Sequence, residues 1–227
     1  MNNFVELKNL SKTFFLKKKV KVLKKINFKF RLGKIYSLMG PSGSGKSTLL
    51  NIISLIDRPT TGSIKFHKSD IDFNNNHKND IFRANNIGII YQQDNLLHDF
   101  TALENVYLAC LAAGNDKEVA KDKAKIILKK VGLFNRIDHY PNELSGGEKQ
   151  RVSISRALIN EPKIILADEP TGSLDKKTSE EIFVLLKKQI NPKRLIIFAT
   201  HNRFLANKSD CLLEMVDGNI KSTNVRV

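Results

Sequence analysis

Gly40-Pro41-Ser42-Gly43-Ser44-Gly45-Lys46-Ser47-Thr48 is the stretch that decides the fold. A glycine, a four-residue gap and then Gly45-Lys46-Ser47 is the P-loop spacing. It stands between an apolar run (Ile35, Leu38, Met39) and a run at helical spacing (Leu49, Leu50, Ile52, Ile53), the strand and helix that such a loop joins. Glycines let the backbone curl with its N–H groups inward, which makes a nest for phosphate oxygens. In that geometry Lys46 reaches the β- and γ-phosphates of a nucleotide, Ser47 places its hydroxyl on Mg²⁺, and the helix that opens there offers unpaired N–H groups.

Outward from the loop, Phe4, Val5, Leu7 and Leu10, then Val20, Val22, Leu23, Ile26, Phe28 and Phe30, predict antiparallel strands joined by a lysine-rich turn. Phe14 and Phe15 precede that turn, and either stacking on an adenine ring or core packing suits them. Ser63 to Phe66 reads as a strand, and the asparagine-rich stretch His67 to Asn86 as a surface excursion whose histidines, His67 and His77, are solvated. Thr101-Ala102-Leu103-Glu104 is a capping box that opens a helix, and a second helix over about 117–131 stops at Gly132. A third amphipathic helix is expected over Thr178 to Ile190.

Apolar runs at 35–39, 87–91, 163–167 and 195–199 each end in polar chemistry: the P-loop, Gln92, Asp168 with Glu169, and His201. Alternating strands and helices predict an α/β fold with a mainly parallel sheet, and ligands of such sheets bind beyond the carboxyl ends of the strands. These ends are therefore expected to converge on one nucleotide. An acid at the end of a buried strand needs a cation nearby, so Asp168 suits a Mg²⁺ holder. Glu169 is placed to polarise a water for attack on the γ-phosphorus, and His201 to contact the γ-phosphate.

At 227 residues the chain suits one large domain. Cys110 and Cys211 stand far apart in apolar contexts, which predicts buried free thiols and no disulfide. Neither an N-terminal h-region nor a membrane-length apolar run is present, so a soluble or peripheral protein is expected. The net charge of +15 comes from lysines dispersed in short bursts without interleaved stacking aromatics. That pattern favours a solvated basic surface, suited to anionic lipid headgroups, over nucleic-acid binding.

Ser145-Gly146-Gly147-Glu148 is a second capping box whose bare N–H groups can receive an anion. The chain thus has two phosphate-binding helix starts and one magnesium constellation. Either it binds two anions, or one copy lends its second helix start to another copy's nucleotide in a two-fold dimer.

Leu144-Ser145-Gly146-Gly147-Glu148, with the P-loop and Leu166-Ala167-Asp168-Glu169-Pro170-Thr171-Gly172-Ser173-Leu174-Asp175, resembles the nucleotide-binding subunit of an ATP-binding cassette (ABC) transporter over nearly the whole chain. The resemblance implies an ABC-type nucleotide-binding domain of the P-loop NTPase class. Residues 1–91 and 160–227 would form a core with N-terminal antiparallel strands, and residues 92–159 an inserted helical lobe. It implies an ATPase using ATP and Mg²⁺, with Glu169, His201 and Gln92 catalytic and Gln92 also near the metal beside Ser47 and Asp168. Phe14 and Gly40, Pro41, Ser42, Gly43, Ser44, Gly45, Lys46, Ser47 and Thr48 would bind ATP, joined from a second copy by Ser145, Gly146 and Gly147.

Phe14 stands where the family usually has tyrosine, and Asn202 where it often has aspartate. The stretches Ile90 to Gln92, Leu96 to Val106 and Leu213 to Gly218 resemble the lipoprotein-releasing group, with the macrolide-export and cell-division groups as alternatives. Implied partners are a second copy and integral membrane permease subunits, at the cytoplasmic face of a bacterial inner membrane, without nucleic acid. The rivals are a soluble ABC-type ATPase acting on nucleic acid and a non-catalytic regulatory cassette.

Overall fold

The computed structural model describes residues 3–15 and 17–225. The chain forms two compact units, one taking residues up to Asp80 together with those from Ile190 onward, the other Ile81–Gln189.

The first unit opens with β1 (Asn3–Phe15) and β2 (Lys19–Arg31), an antiparallel pair whose inward residues Leu7, Leu10, Leu23, Ile26 and Phe30 are buried. β3 (Ile35–Met39) leads through the P-loop into α1 (Lys46–Ile53), whose Leu49, Leu50, Ile52 and Ile53 are buried. β4 (Thr61–Phe66) runs antiparallel to β1, and β5 (Ser69–Asp70) pairs with β4. Phe28, Phe30 and Tyr36 meet edge to face at 4.7 to 6.0 Å, which ties β2 to β3.

The expectation for His67 to Asn86 needs correction. Asn76–Asn86 is a helix, α2, although most of it is exposed as a surface excursion would be. Asparagine is a poor helix former, and the segment buries only Asn79, so no apolar period marks it. Asn85 and Asn86 donate to the carbonyls of Ile81 and Phe82, four residues back, at 2.9 and 3.0 Å.

In the second unit β6 (Ile87–Ile90) precedes α3 (Ala102–Ala112), α4 (Lys117–Lys130) and α5 (Gly146–Leu158). Val106, Cys110, Ala120, Ala124, Leu128, Leu144 and Val152 close the core of this helical cluster. Thr101 and Glu104 make the expected capping box. β7 (Ile164–Asp168) runs parallel to β6 and is followed by α6 (Lys176–Lys187). A Cβ on Gly88 would lie 2.3 Å from the carbonyl oxygen of Ala157, so α5 packs directly on the backbone of β6.

Returning to the first unit, β8 (Leu195–Ala199), α7 (Arg203–Ala206), β9 (Cys211–Val216) and β10 (Asn219–Val225) complete the chain. β8 and β9 flank β3 in parallel, and β10 is antiparallel to β9. Cys110 and Cys211 are buried and free, and burial pushes the Cys211 thiol up. Among the described residues no helix is long and apolar enough to cross a membrane.

Candidate nucleotide site

The P-loop begins where β3 passes β9. A Cβ on Gly40 would lie 2.1 Å from the Met215 carbonyl oxygen, so a larger residue cannot leave the strand by this path. Gly45, with φ 103, turns the chain into α1. The Lys46 ammonium donates to the carbonyls of Gly40 (2.7 Å) and Pro41 (3.1 Å), which folds its head back over the loop. Ser44 Oγ is buried without a partner, and Pro41, Ser42, Gly43 and Ser47 are exposed.

Thr200 donates its backbone N–H to Leu38 at 3.0 Å, so the P-loop and Thr200-His201 leave adjacent parallel strands at one edge. His201 itself is exposed. Asn202 accepts from the N–H groups of Phe204 (3.0 Å) and Leu205 (3.2 Å), which makes it the N-cap of α7. An aspartate would cap the same turn, so the departure from the family's usual residue keeps its structural job.

Phe14 is half-buried, with the Lys12 ammonium 4.8 Å from its ring centre. Phe15 is 72% exposed. Both rings carry a lysine ammonium, Phe15 that of Lys19 at 5.6 Å, and Phe14 is the more buried of the two.

In the second unit β6 and β7 are parallel neighbours, with Ile90 opposite Ala167, so Gln92 and Asp168-Glu169 also leave at one edge. The exposed Gln92 lies against Gly172, where an added Cβ would fall 2.9 Å from Gln92 Nε2. Glu169 has φ 48, a left-handed conformation costly for a residue with a side chain and concentrated at functional sites. The strand ends thus meet two by two, the P-loop with His201 and Gln92 with Asp168 and Glu169.

Ser145 N–H and Oγ donate to Glu148 Oε2 at 2.9 and 2.8 Å, and Glu148 N–H returns to Ser145 Oγ at 3.4 Å. The backbone bond from Ser145, then its hydroxyl, hold the Glu148 carboxyl below its ordinary value, with Arg136 adding to the effect. Ser145 and Gly146 are exposed at this helix start. A Cβ on Gly147 would meet Thr178 Cγ2 at 2.8 Å, which lets α5 start close against α6. Asp175 caps α6 by accepting from Thr178 N–H at 3.0 Å and Oγ1 at 2.6 Å, and these bonds lower its carboxyl. That cap moves the helix start ahead of Thr178, and the helix ends at Lys187 before the expected Ile190.

Sequence reasoning missed the side chains that hold the segments on either side of Gln92. Gln150 donates to Tyr91 O at 3.2 Å. Arg156 donates to Asp94 O at 2.8 Å and Asn95 O at 2.7 Å. Asn105, buried, donates to Leu97 O, Phe100 O and Thr101 O within 3.0 Å and accepts from Leu97 N at 2.8 Å. Backbone carbonyls carry no residue identity, so no sequence pattern announces these contacts.

For Mg²⁺ the donor chemistry fits. Asp168 Oδ1 is buried with no hydrogen-bond partner, an orphan that a cation would satisfy. Among the described residues there is no cluster of three or more His, Cys, Asp or Glu that could hold a metal by itself. Mg²⁺ needs none, because it keeps waters and takes one or two carboxylates plus substrate phosphates.

The ABC transporter family model matches residues 23–172. The chain belongs to the ABC transporter family. It is 45% identical over 229 residues to the lipoprotein-releasing system ATP-binding protein LolD of Wigglesworthia glossinidia brevipalpis, covering 99% of this chain and 100% of that one. The macrolide export ATP-binding/permease protein MacB of Bartonella henselae is 42% identical over 206 residues, covering 91% of this chain but 31% of MacB. Among solved structures, the dimeric post-hydrolysis state of the ATP-binding cassette MJ0796 bound to ADP and Pi is similar at a TM-score of 0.88 with 38% identity, covering 97% of this chain and 98% of that one. The matched residues include the P-loop, Gln92, the capping box at Ser145 and Asp168-Glu169.

Proposed function

We propose that this chain is the ATP-hydrolysing subunit of an ABC transporter that powers release of lipoproteins from the inner membrane toward the outer membrane. It would sit peripherally at the cytoplasmic face of a bacterial inner membrane, against integral permease subunits of the LolC/LolE kind. The end-to-end match to a lipoprotein-releasing ATPase carries this reading. The match to MacB takes in only 31% of that protein, which makes a macrolide-export role the second reading.

In the proposed reaction Phe14 stacks on adenine, and Lys46 with the loop N–H groups holds the β- and γ-phosphates. Ser47, Asp168 and Gln92 would hold Mg²⁺, which neutralises phosphate charge when bound. Water attacks the γ-phosphorus, Glu169 takes its proton, and the bond to the β–γ bridging oxygen breaks to leave ADP and phosphate. His201 donates to the γ-phosphate. Ser145, Gly146 and Gly147 of a second copy complete the site, so the dimer closes on ATP and reopens after hydrolysis.

Co-purification in detergent tests the transport assignment. Recovery of separately encoded membrane permease chains, with lipoprotein released from vesicles only when ATP is hydrolysed, is the expected result. A phosphate-releasing cassette that binds no such chain would refute it.

A further inference from the structure

We propose that Lys12 is a positioning residue that fixes the Phe14 ring as a base platform at a set reach from the phosphate loop. The proposal rests on the reading of Phe14 as the adenine-stacking residue. Lys12 lies on β1, is 9% exposed, and spends its donors inside the protein. Its ammonium donates to Asp57 Oδ1 at 2.6 Å and to Arg58 O at 2.8 Å, and stands 4.8 Å from the Phe14 ring centre.

A lysine held this far from water costs desolvation energy, which a carboxylate, a carbonyl and a ring face together offset. Such a head has one position, unlike a solvated surface lysine.

What the head connects gives it a role. Asp57 N–H donates to Asn51 O at 3.1 Å, so the carboxylate is fastened to the last turns of α1, the helix whose first residue is Lys46. Two further ties bind the same segment to β1: Thr60 N–H to Ser11 O at 2.8 Å, and Thr13 N–H to Thr60 Oγ1 at 2.9 Å. Phe14, Lys12, Asp57 and Asn51 form one chain of contacts from the ring to α1, the helix that Lys46 opens, all within the first unit. With the ammonium over one face of Phe14, base stacking would use the opposite face. The contact spans 45 positions between Lys12 and Asp57 and has no local sequence signature.

Calorimetric titration with MgATP and with magnesium tripolyphosphate separates base binding from phosphate binding. Lys12→Met should weaken ATP roughly three- to tenfold while changing tripolyphosphate less than about twofold, since cation–π and stacking contacts of this kind contribute about that much. Retained tripolyphosphate binding also reports a folded phosphate loop. Lys12→Arg, which keeps the cation, should recover most of the ATP affinity. Lys12→Met should add nothing in a Phe14→Ala background, as coupled residues do not sum. Equal weakening of both ligands, or no weakening of ATP, overturns the proposal. If Phe14→Ala lowers the ATP preference and Lys12→Met does not, only the proposal fails. If Phe14→Ala leaves that preference unchanged, the base-stacking reading fails and takes the proposal with it.

Discussion

Lys46 and Gly40 show how much a single residue carries at this site. The Lys46 ammonium rests on the Gly40 and Pro41 carbonyls, acceptors that a triphosphate surpasses because each phosphate oxygen bears charge. Lys46→Ala should therefore weaken ATP binding at least about tenfold in calorimetry, the value of one charge-assisted contact; unchanged affinity would remove the P-loop assignment. Gly40 is constrained by its neighbour instead. Gly40→Ala drives a methyl into the Met215 carbonyl, so the variant should lose more than about 1 kcal/mol in denaturant unfolding, with binding lost as the loop shifts. Glu169 adds a feature that residue type does not reveal. Its identity and place after an apolar run were readable, whereas its left-handed backbone depends on the turn that carries Gly172 N–H back to Glu169 O at 3.0 Å.

At the scale of elements, local chemistry was legible and distant chemistry was not. The Thr101 and Ser145 capping boxes and the β3, β6, β7 and β8 strands follow from residues within a few positions of each other. α2 escaped because asparagines mask its period, and α6 starts before Thr178, where its apolar period begins, because the Asp175 carboxylate caps it by accepting from Thr178. The clamps from Asn105, Arg156 and Gln150 join positions distant in the chain through backbone carbonyls.

Two outcomes follow at this scale. Asn105→Ala removes four hydrogen bonds, and although Leu97 O and Thr101 O keep backbone donors, Phe100 O and Leu97 N–H lose the side chain that pairs them, so the variant should lose about 1–3 kcal/mol, and hydrogen exchange should rise over residues 97–101. Ser145→Ala removes the cap of α5, worth about 1 kcal/mol at neutral pH. The folded-state carboxyl of Glu148 is held below its ordinary 4.5, so its contribution is present above that value and lost as the pH falls through the lowered one. The stability gap between wild type and Ser145→Ala should therefore narrow on acidification below about pH 4.5, in urea titrations at stepped pH. A constant gap would mean that the hydroxyl, and not the paired carboxylate, carries the effect.

At the scale of the whole molecule, the central proposal is that one polypeptide supplies the P-loop half of each ATP site and a second copy supplies the helix start at Ser145. The exposed Ser145 and Gly146 leave that helix start accessible to a nucleotide held by a second copy, as that use requires. The similarity to a dimeric cassette bound to ADP and Pi supports it from outside this sequence. Hydrolysis and dimer lifetime then become linked quantities, since removing the base should slow turnover by about 10²–10⁴-fold and leave the ATP-bound pair closed. Sedimentation of Glu169→Gln protein with MgATP, over a concentration series and with a Ser145→Arg control, measures this directly. The account predicts a dimer that appears with ATP, is lost with ADP and is absent in the control; a strictly monomeric protein under every one of these conditions would contradict it.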